Sequence, residues 1–367
     1  MRKNVKTLRV GIVGYGYMGK IRKNIIESSP LLKLAGICDT NTDLVTADHT
    51  VKCKVYNSYK KLISSDIDIV FVCTPNSFSP QIVIDSLRAG RHVFCEKPPG
   101  RTLADIKSMV EEEKKNPGLK LMFGFNHRYH PGILEARTIV DSKRFGNILF
   151  LKGTYGKSGG KNYLDSWRNQ KEIAGGGILL DQGIHMIDLF RYFCGDFNET
   201  EGFLSRMFWD TNVEDNAFVF LRNSLGQVAT LHSSATLWKH CFKIEIFLEK
   251  AYLIVSGLLS KTGSYGRETL TIGRRQFEDE TFALGNPREE VVYFDQDLSW
   301  AIEVQKFQEF ITNGTKVDNS SSLDALKAME IVELVYNSSL IKNGPNFTKN
   351  GDGINEKRSH QSGRKHV

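Results

Sequence analysis

A glycine-rich turn between an apolar strand and a helical segment constrains the fold of this chain more than any other feature. Residues 8–13 form a continuous apolar run, and the motif Gly14-Tyr15-Gly16-Tyr17-Met18-Gly19 follows it directly. In this context Gly14 permits a tight turn, Gly16 lets a pyrophosphate approach the backbone, and Gly19 lets the helix pack on the strand. The helix N-terminus offers unpaired N–H groups to phosphates. The motif therefore predicts a dinucleotide-binding Rossmann domain.

Strand and helix patterns alternate over the first 125 residues. Helices are expected at residues 17–29, 78–89 and 103–115, and short apolar strands at 8–13, 32–38, 68–73, 92–95 and 119–125. Continuous apolar strands separated by helices indicate a parallel sheet covered on both faces. We assign residues 1–127 to this α/β Rossmann domain.

The pattern changes after Pro131. A helix at residues 133–143 is followed by a strand at 148–155 and a helix at 177–193, and then by strands at 200–208, 216–221, 227–235, 242–248, 252–255, 269–272 and 291–294. Strands joined by turns indicate a mostly antiparallel open sheet, and two amphipathic helices at 298–313 and 321–341 cover it. This predicts an α+β substrate domain over residues 128–340. One sheet face still needs cover, so we expect a homodimer or homotetramer formed through it.

The net charge of +7 is unevenly distributed. Residues 341–367 contain six Lys or Arg and two Asp or Glu, which accounts for +4, and their Gly, Asn and Ser content predicts a basic, disordered tail. The remainder carries no basic surface interleaved with aromatic residues, so no nucleic-acid partner is expected. No apolar stretch approaches the roughly 20 residues of a membrane helix. Six scattered cysteines without a CxxC pair, and no secretory signal, favour reduced thiols in the cytoplasm.

Asp39 ends the second predicted strand, 20 residues after Gly19. A carboxylate at this place accepts hydrogen bonds from ribose hydroxyls and repels a 2′-phosphate. Thr40 and Asn41 follow it, and neither could neutralise such a phosphate. The alternative is that Asp39 is only a turn or helix N-cap residue. We predict NAD rather than NADP as the cofactor.

Two further sites carry polar residues that could act on a substrate. Lys97 follows the strand at residues 92–95, and ligands of parallel sheets bind beyond the carboxyl ends of the strands. Asp181 and His185 are four residues apart on a predicted helix, which places them on one face. Taken singly, the lysine could be an ordinary solvated side chain and the pair a structural hydrogen bond.

Together these segments resemble the glucose–fructose oxidoreductase/inositol dehydrogenase/MocA family. The resemblance covers roughly residues 8–340 and rests on GYGYMG, on CTPN at 73–76, on EKP at 96–98, and on WR at 167–168 followed by GGGILLDQGIHMID. The chain departs from the family at Ser79, where a histidine often stands three residues after the TPN asparagine.

The resemblance implies roles for individual residues. Lys97 matches the catalytic lysine, and Asp181 and His185 match a pair that binds substrate and transfers a proton. Tyr155 and Lys157 are weaker substrate-binding candidates, and Arg128 and Tyr129 are expected to support the wall of the site. The implied cofactor contacts are Gly14, Tyr15, Gly16, Tyr17, Met18, Gly19, Asp39, Thr74, Pro75, Asn76, Glu96, Asn126, Trp167 and Arg168.

The chemistry of these residues suits hydride transfer. His185 can titrate near neutral pH and act as a general base, Lys97 can stabilise a developing alkoxide, and Asp181 can bind a hydroxyl and steady the imidazole. Which of Lys97 and His185 takes the proton is left open. A metal would require Asp181, His185 and Asp188 to converge, and none is expected.

These expectations define an NAD(H)-dependent oxidoreductase. Its substrate would be a small molecule carrying a secondary alcohol or ketone, namely a sugar, a nucleotide sugar or a cyclitol. An inositol dehydrogenase is one alternative within this class. A non-catalytic NAD-binding sensor or scaffold is the other alternative, and the presence of both Lys97 and His185 counts against it.

Overall fold

The computed structural model describes residues 7–160, 162–260, 262–276 and 285–344. Most of the predicted tail, residues 345–367, lies outside these ranges. The elements of the N-terminal part are β1 Leu8–Val13, α1 Tyr17–Ser28, β2 Leu32–Cys38, α2 Thr42–Thr46, β3 Lys54–Tyr56, α3 Tyr59–Ile63, β4 Ile69–Val72, α4 Ser79–Arg88, β5 His92–Cys95, α5 Leu103–Lys115 and β6 Leu121–Phe123.

Six parallel strands form the first sheet of the described chain, in the order β3-β2-β1-β4-β5-β6. This is the strand order of a Rossmann fold, as predicted. The order reverses between β1 and β4, which opens a crevice at the carboxyl ends of the strands. The glycine turn after β1, Thr74 after β4 and Lys97 after β5 therefore meet at one edge of the sheet.

Sequence periodicity did not predict β3, α2 or α3. Each has three to five residues, and β3 is an edge strand whose three residues are exposed or only half-buried. Short, partly polar elements carry too little apolar pattern to be recognised, and β3 forms because it pairs with the neighbouring strand β2.

The second part of the chain contains the remaining elements. Short 3-10 helices lie at Asn126–Tyr129 and Trp167–Asn169, and a π-helical turn at Leu179–Gly183. The helices and strands are α6 Pro131–Asp141, β7 Ile148–Gly156, α7 Lys171–Ala174, α8 Ile184–Cys194, β8 Glu199–Arg206, β9 Asn216–Arg222, β10 Val228–Ser234, β11 Cys241–Leu248, β12 Ala251–Ser256, β13 Glu268–Arg274, β14 Glu289–Phe294, α9 Ser299–Asn313, α10 Ser322–Ser338 and β15 Lys342–Asn343.

Nine strands of the described chain form a second, open sheet in the order β14-β13-β12-β11-β7-β10-β9-β8-β15. Most neighbours are antiparallel, as predicted, but β7 and β10 pair in parallel, as do β8 and β15. The parallel pair arises because β7 inserts between β10 and β11, which are consecutive along the chain.

The two faces of this second sheet differ. Along β11 buried and half-buried residues alternate strictly, and the buried face packs against α6, α8 and α10. The opposite face carries aromatic rings, among them the stacked pair Phe150 and Phe247 and the exposed Phe203 and Phe220. We call this the outer face of the second sheet. Among the described residues no helix is long and apolar enough to span a membrane.

Helix α9 returns from the second sheet to the first. Phe307 packs edge-on against Phe71 and Phe94, with ring centroids 6.2 and 5.6 Å apart. Residues that follow the second sheet in sequence thus complete the core of the Rossmann sheet. The boundary between residues 127 and 128 stays a prediction, because sequence order does not separate the two cores.

Arg128 and Asp188 form a buried ion pair at the junction of the two parts. Arg128 donates from Nε to Asp188 Oδ2 at 2.7 Å and from Nη2 to Oδ1 at 2.6 Å, and its Nη1 donates to Asn319 at 2.7 Å. Asp188 therefore points away from Asp181. Within the described ranges no three His, Cys, Asp or Glu residues are placed to hold a metal ion.

Removing Asp188 should destabilise the fold. Asp188→Ala leaves the Arg128 guanidinium buried without its main partner, which typically costs about 3–5 kcal/mol of the free energy of unfolding. Asp196→Ala is the matched control: its pair with Arg191 leaves the Asp196 side chain 60% exposed, and such pairs contribute less than about 1 kcal/mol. Urea denaturation measures both. Equal losses for the two variants would contradict a structural role for the buried pair.

Candidate active site

A cleft of about 1660 Å³ runs along the carboxyl edge of the Rossmann sheet towards the second sheet. It brings together most of the predicted site residues. Those that line it are Tyr17, Met18, Thr74, Asn76, Glu96, Lys97, Asn126, Tyr155, Trp167, Arg168, Asp181 and His185.

The glycine turn has the shape that a dinucleotide requires. Gly14 has φ +92°, and a Cβ on it would lie 2.6 Å from the carbonyl oxygen of Cys73. A Cβ on Gly19 would collide with the carbonyl oxygen of Gly14. Gly16 differs, because a Cβ there would meet nothing within 4 Å. No side chain caps the N-terminus of α1 beside it, so open space and free N–H groups are available to a pyrophosphate.

Asp39 stabilises the glycine turn through hydrogen bonds, and its carboxylate lies at the edge of the site. Its Oδ2 accepts from the Tyr15 N–H at 2.6 Å and its Oδ1 from the Asn41 N–H at 2.8 Å. The side chain is half-buried, and each carboxylate oxygen keeps a lone pair for a ribose hydroxyl. The two interpretations of Asp39 from sequence are thus compatible.

Among the predicted cofactor contacts, Tyr15 has a side chain that lies in the core and does not line the cleft. Its ring is fully buried, its hydroxyl donates to Asp48 Oδ2 at 2.7 Å, and its N–H is used by Asp39. The residue between the first two glycines points into the core beneath α1, because the turn directs Tyr17 outwards and Tyr15 inwards.

The loop after β4 joins the two parts of the cleft. Asn76 Nδ2 donates to the Ala174 carbonyl at 2.7 Å, and the Ser77 N–H donates to Ile173 at 3.1 Å. Ser79, at the position where the family often has histidine, begins α4 and places its hydroxyl 3.3 Å from the carbonyl oxygen of Pro75. In this chain residue 79 thus contacts its own loop.

Glu96 lines the cleft, but its Oε1 accepts a hydrogen bond from Arg22 Nε at 2.7 Å. Arg22 is fully buried on α1 and also donates to Glu303 Oε2 at 2.7 Å. Its guanidinium lies between the rings of Phe94 and Trp300. Burial raises the pKa of Glu303 to about 8, although the charge of Arg22 opposes the shift.

Asp181 is the centre of a cluster of cations. Its Oδ2 lies 2.8 Å from Lys157 Nζ, and its Oδ1 lies 3.3 Å from Arg168 Nε and 3.9 Å from Lys97 Nζ. Lys97 Nζ also donates to the Asp181 carbonyl oxygen at 2.7 Å. Burial alone would raise the pKa of Asp181, but the three cations outweigh it and hold this pKa well below its usual range. The carboxylate is ionised.

His185 is not oriented by Asp181, contrary to the expectation from their spacing. The turn Leu179–Gly183 is π-helical, so regular α-helical spacing does not link residues 181 and 185, and the oxygens of Asp181 face the cations. His185 instead stacks on His127 with centroids 3.7 Å apart and planes at 23°. Its Nδ1 is buried without a hydrogen-bond partner among the described residues.

The protonation of His185 also differs from the expectation. Burial lowers the pKa of His185 well below its ordinary value, and the charge of Lys97 lowers it further. His185 therefore stays neutral at neutral pH instead of titrating there. Burial lowers the pKa of Lys97 as well, and the Asp181 charge offsets that shift only in part.

Sequence reasoning overlooked several residues of the site. His127 lines the cleft beside His185. The Nδ1 atom of His130 lies 2.7 Å from Oε2 of the buried Glu268. Tyr265 lines the cleft and accepts from Gln182 at 2.9 Å. The available signal for His127 was its place in GFNHRYHPG, directly after a parallel strand.

Comparison with known proteins identifies an oxidoreductase with a Rossmann domain for NAD. The model of the "Oxidoreductase family, NAD-binding Rossmann fold" matches residues 8–125, and that of the "GFO/IDH/MocA C-terminal domain" matches residues 133–254. The chain belongs to the Gfo/Idh/MocA family. The resemblance found from the motifs is therefore confirmed, as are the predicted fold class and the NAD cofactor.

Named relatives act on sugars and cyclitols. Levoglucosan dehydrogenase of Pseudarthrobacter phenanthrenivorans is 33% identical over 215 residues, 55% of each chain. Myo-inositol 2-dehydrogenase of Thermotoga maritima is 28% identical over 265 residues, 70% of this chain and 77% of that protein. The first alignment thus spans only about half of the relative's length. A structure of levoglucosan dehydrogenase with NADH and levoglucosan shares the fold, with TM-score 0.80 and 24% identity over 90% of this chain and 96% of that one.

Asp39 should set a preference for NADH over NADPH. Asp39→Ser combined with Thr40→Arg removes the carboxylate and adds a cation, so NADPH should bind about tenfold more tightly relative to NADH, a change of about 1.4 kcal/mol. Fluorescence titration of both cofactors measures the preference. Asp43→Ser, which alters the neighbouring helix α2, is the control. Tighter binding of NADPH than NADH by the unmodified protein would contradict this role of Asp39.

Proposed function

We propose that the protein is an NAD(H)-dependent dehydrogenase or reductase. It transfers a hydride to or from a secondary alcohol or ketone carbon of a sugar, nucleotide sugar or cyclitol. The observation that carries this proposal is the meeting of Lys97, from the Rossmann sheet, with Asp181 and His185, from the second part of the chain, in one cleft. The named relatives support the substrate class, and inositol dehydrogenase stays an alternative within it.

Lys97 is the group that exchanges a proton with the substrate oxygen. When bound, the nicotinamide supplies the hydride acceptor or donor. Because burial lowers the pKa of Lys97, its amine can give up its own proton and accept the hydroxyl proton during oxidation. In the reverse direction the ammonium donates that proton and stabilises negative charge on the oxygen. Neutral His185 forms a hydrogen bond with the same substrate oxygen.

Asp181 orients the substrate. Its carboxylate is ionised. Lys157 contacts Oδ2, and Arg168 and Lys97 approach Oδ1. A remaining lone pair can accept from a substrate hydroxyl beside the reacting carbon. Trp167 and Arg168, whose guanidinium lies 4.6 Å from the Trp167 ring centroid, border the nicotinamide end of the same cleft.

We also propose a cytoplasmic homo-oligomer. All six cysteines lie within the described residues as unpaired thiols, which supports a reducing compartment. The outer face of the second sheet exposes Phe203 and Phe220, which supports association of two copies through this face.

Disrupting the outer face should dissociate the oligomer. Phe220→Asp places a charge among the outer rings and should shift the sedimenting species to the monomer at micromolar concentration. Leu225→Asp, at an exposed turn between β9 and β10, is the matched control and should leave the species unchanged. A monomeric unmodified protein in analytical ultracentrifugation would contradict the proposal.

Lys97 and His185 should act as one unit. Lys97→Ala should lower kcat by roughly 10²–10⁴-fold while the Kd for NADH changes little, and His185→Ala should do the same. The fold decrease in kcat of the double variant should be much smaller than the product of the two single-variant decreases. Steady-state kinetics and NADH titration measure these effects, with Lys107→Ala on the exposed face of α5 as control.

Several outcomes would count against this assignment. Normal turnover by both single variants would show that the site is elsewhere. Loss of both NADH binding and turnover in the single variants would show that Lys97 and His185 bind the cofactor. NADH binding by the unmodified protein, without turnover of any sugar, cyclitol or nucleotide sugar, would favour the sensor or scaffold alternative.

The pH dependence of alcohol oxidation should show which residue exchanges the proton. A base must be deprotonated to accept a proton, so kcat/KM should rise with pH through one ionisation below the ordinary lysine value of about 10.4. Because the pKa of His185 is far below its ordinary value, no second limb should appear near neutral pH. The His185→Asn variant should keep the profile and the Lys97→Met variant should lose it. A limb near pH 6.5 that disappears with His185 would overturn the assignment.

A further inference from the structure

Three aromatic side chains, Phe208, Trp209 and Trp238, form a cluster on the surface that we call the aromatic platform. Phe208 is 49% and Trp238 59% exposed, although their rings lie 4.8 Å apart. Trp209 packs against both rings and is anchored by its Nε1, which donates to the Ala235 carbonyl at 3.0 Å. Trp238 has φ +55°, which a bulky residue rarely adopts. Exposed rings held in this way offer flat surfaces for stacking.

The aromatic platform adjoins the substrate end of the cleft. Tyr163 packs on Trp209 with centroids 4.6 Å apart, and Lys157 Nζ lies 5.5 Å from the Tyr163 centroid. The same Nζ is 2.8 Å from Asp181. A second connection runs through the loop that carries Trp238, because His240 packs on Tyr265, which lines the cleft. The platform is therefore connected to Asp181 through Tyr163 and Lys157, and it is separate from the glycine turn.

Basic groups outnumber the carboxylate immediately around Asp181. Lys157 and Arg168 both approach Asp181, and Lys97 lies behind them, so one carboxylate faces three basic groups. The Arg168 side chain is 42% exposed and can reach a ligand, and the exposed Lys239 follows Trp238. A neutral sugar would leave this charge uncompensated. A substrate with anionic groups between its sugar ring and a planar group would match it.

We propose that the aromatic platform, with Lys157 and Arg168, binds the nucleoside diphosphate part of a nucleotide-linked sugar. The base stacks on Trp238, which Phe208 supports edge-on, the diphosphate contacts Lys157 and Arg168, and the sugar reaches Asp181, Lys97 and His185. This inference rests on the proposed function and narrows its substrate class. The base-stacking part concerns residues outside the cluster that carries the chemistry, so the two can be tested separately.

The test uses the full-length protein saturated with NADH, so that the dinucleotide site is occupied. UDP, GDP, CDP and dTDP are titrated one at a time by calorimetry, with maltose as a neutral two-ring comparison. We expect at least one nucleoside diphosphate to bind and Trp238→Ala to weaken it about tenfold, within the range expected from the loss of one base–aromatic stack. Trp238→Phe should restore most of the affinity. Leu225→Ala, an exposed apolar residue at a distant turn, should change nothing.

Four results would overturn the proposal. The unmodified protein could bind none of the four nucleotides, or Trp238→Ala could bind them with unchanged affinity. Trp238→Ala could weaken the binding of maltose alone, or it could change the oligomeric mass while nucleotide affinity stays the same. The last would identify the platform as a subunit contact.

Failure of the proposed function would look different. If NAD⁺-dependent oxidation of a free sugar or cyclitol survives in Trp238→Ala and no nucleotide binds, the enzyme assignment stands and the platform proposal fails. If a nucleotide binds through Trp238 but no nucleotide sugar, sugar or cyclitol is turned over, the platform proposal stands and the oxidoreductase assignment fails.

Discussion

The site depends on one carboxylate, the largely buried Asp181. Asp181 is approached by Lys97 after β5, by Lys157 after β7 and by Arg168 in a 3-10 helix, so three separate segments are held around one group. Burying a single cation in this place would cost free energy, but a shared carboxylate in close contact offsets much of it. The same arrangement prevents Asp181 from taking up a proton. It therefore keeps a fixed negative charge in the cleft beside a lysine whose pKa is lowered by burial.

Burial has different consequences for Lys97 and His185, the two groups proposed to contact the reacting oxygen. Both Lys97 and His185 lie in a poorly solvated cleft, and burial lowers both pKa values. For a lysine this brings the pKa towards the working range, whereas for a histidine it removes the pKa from that range. His185 also has a neutral ring stacked on it, since burial keeps the pKa of His127 well below its ordinary value as well. These shifts support the proposal that Lys97 carries the proton and that His185 is a fixed hydrogen-bond partner.

Local rules predicted the parts of the structure that depend on local sequence. The glycine motif needed only its preceding strand and following helix, and Lys97 needed only its place after a strand of a parallel sheet. Residues whose environment is built by distant segments were not predictable in this way. Arg22 resembles any basic residue of a surface helix, yet Glu303, 281 positions later, makes it a buried one. The parallel pairing of β7 with β10 likewise depends on the insertion of one strand between two others.

The contact between Arg22 and Glu303 fixes the position of α1 relative to the end of β5. Arg22 lies on α1, whose N-terminus faces the glycine turn, and its Nε binds Glu96, the residue before Lys97. Glu303 on α9 holds the other edge of the guanidinium, and the rings of Phe94 and Trp300 enclose it. Moving the Arg22 guanidinium away from Glu96 and Glu303 would leave buried charge unpaired, and that would cost several kcal/mol. The distance between the helix proposed to face the phosphates and the lysine proposed to face the substrate is therefore set by α9, which follows both of them in the chain.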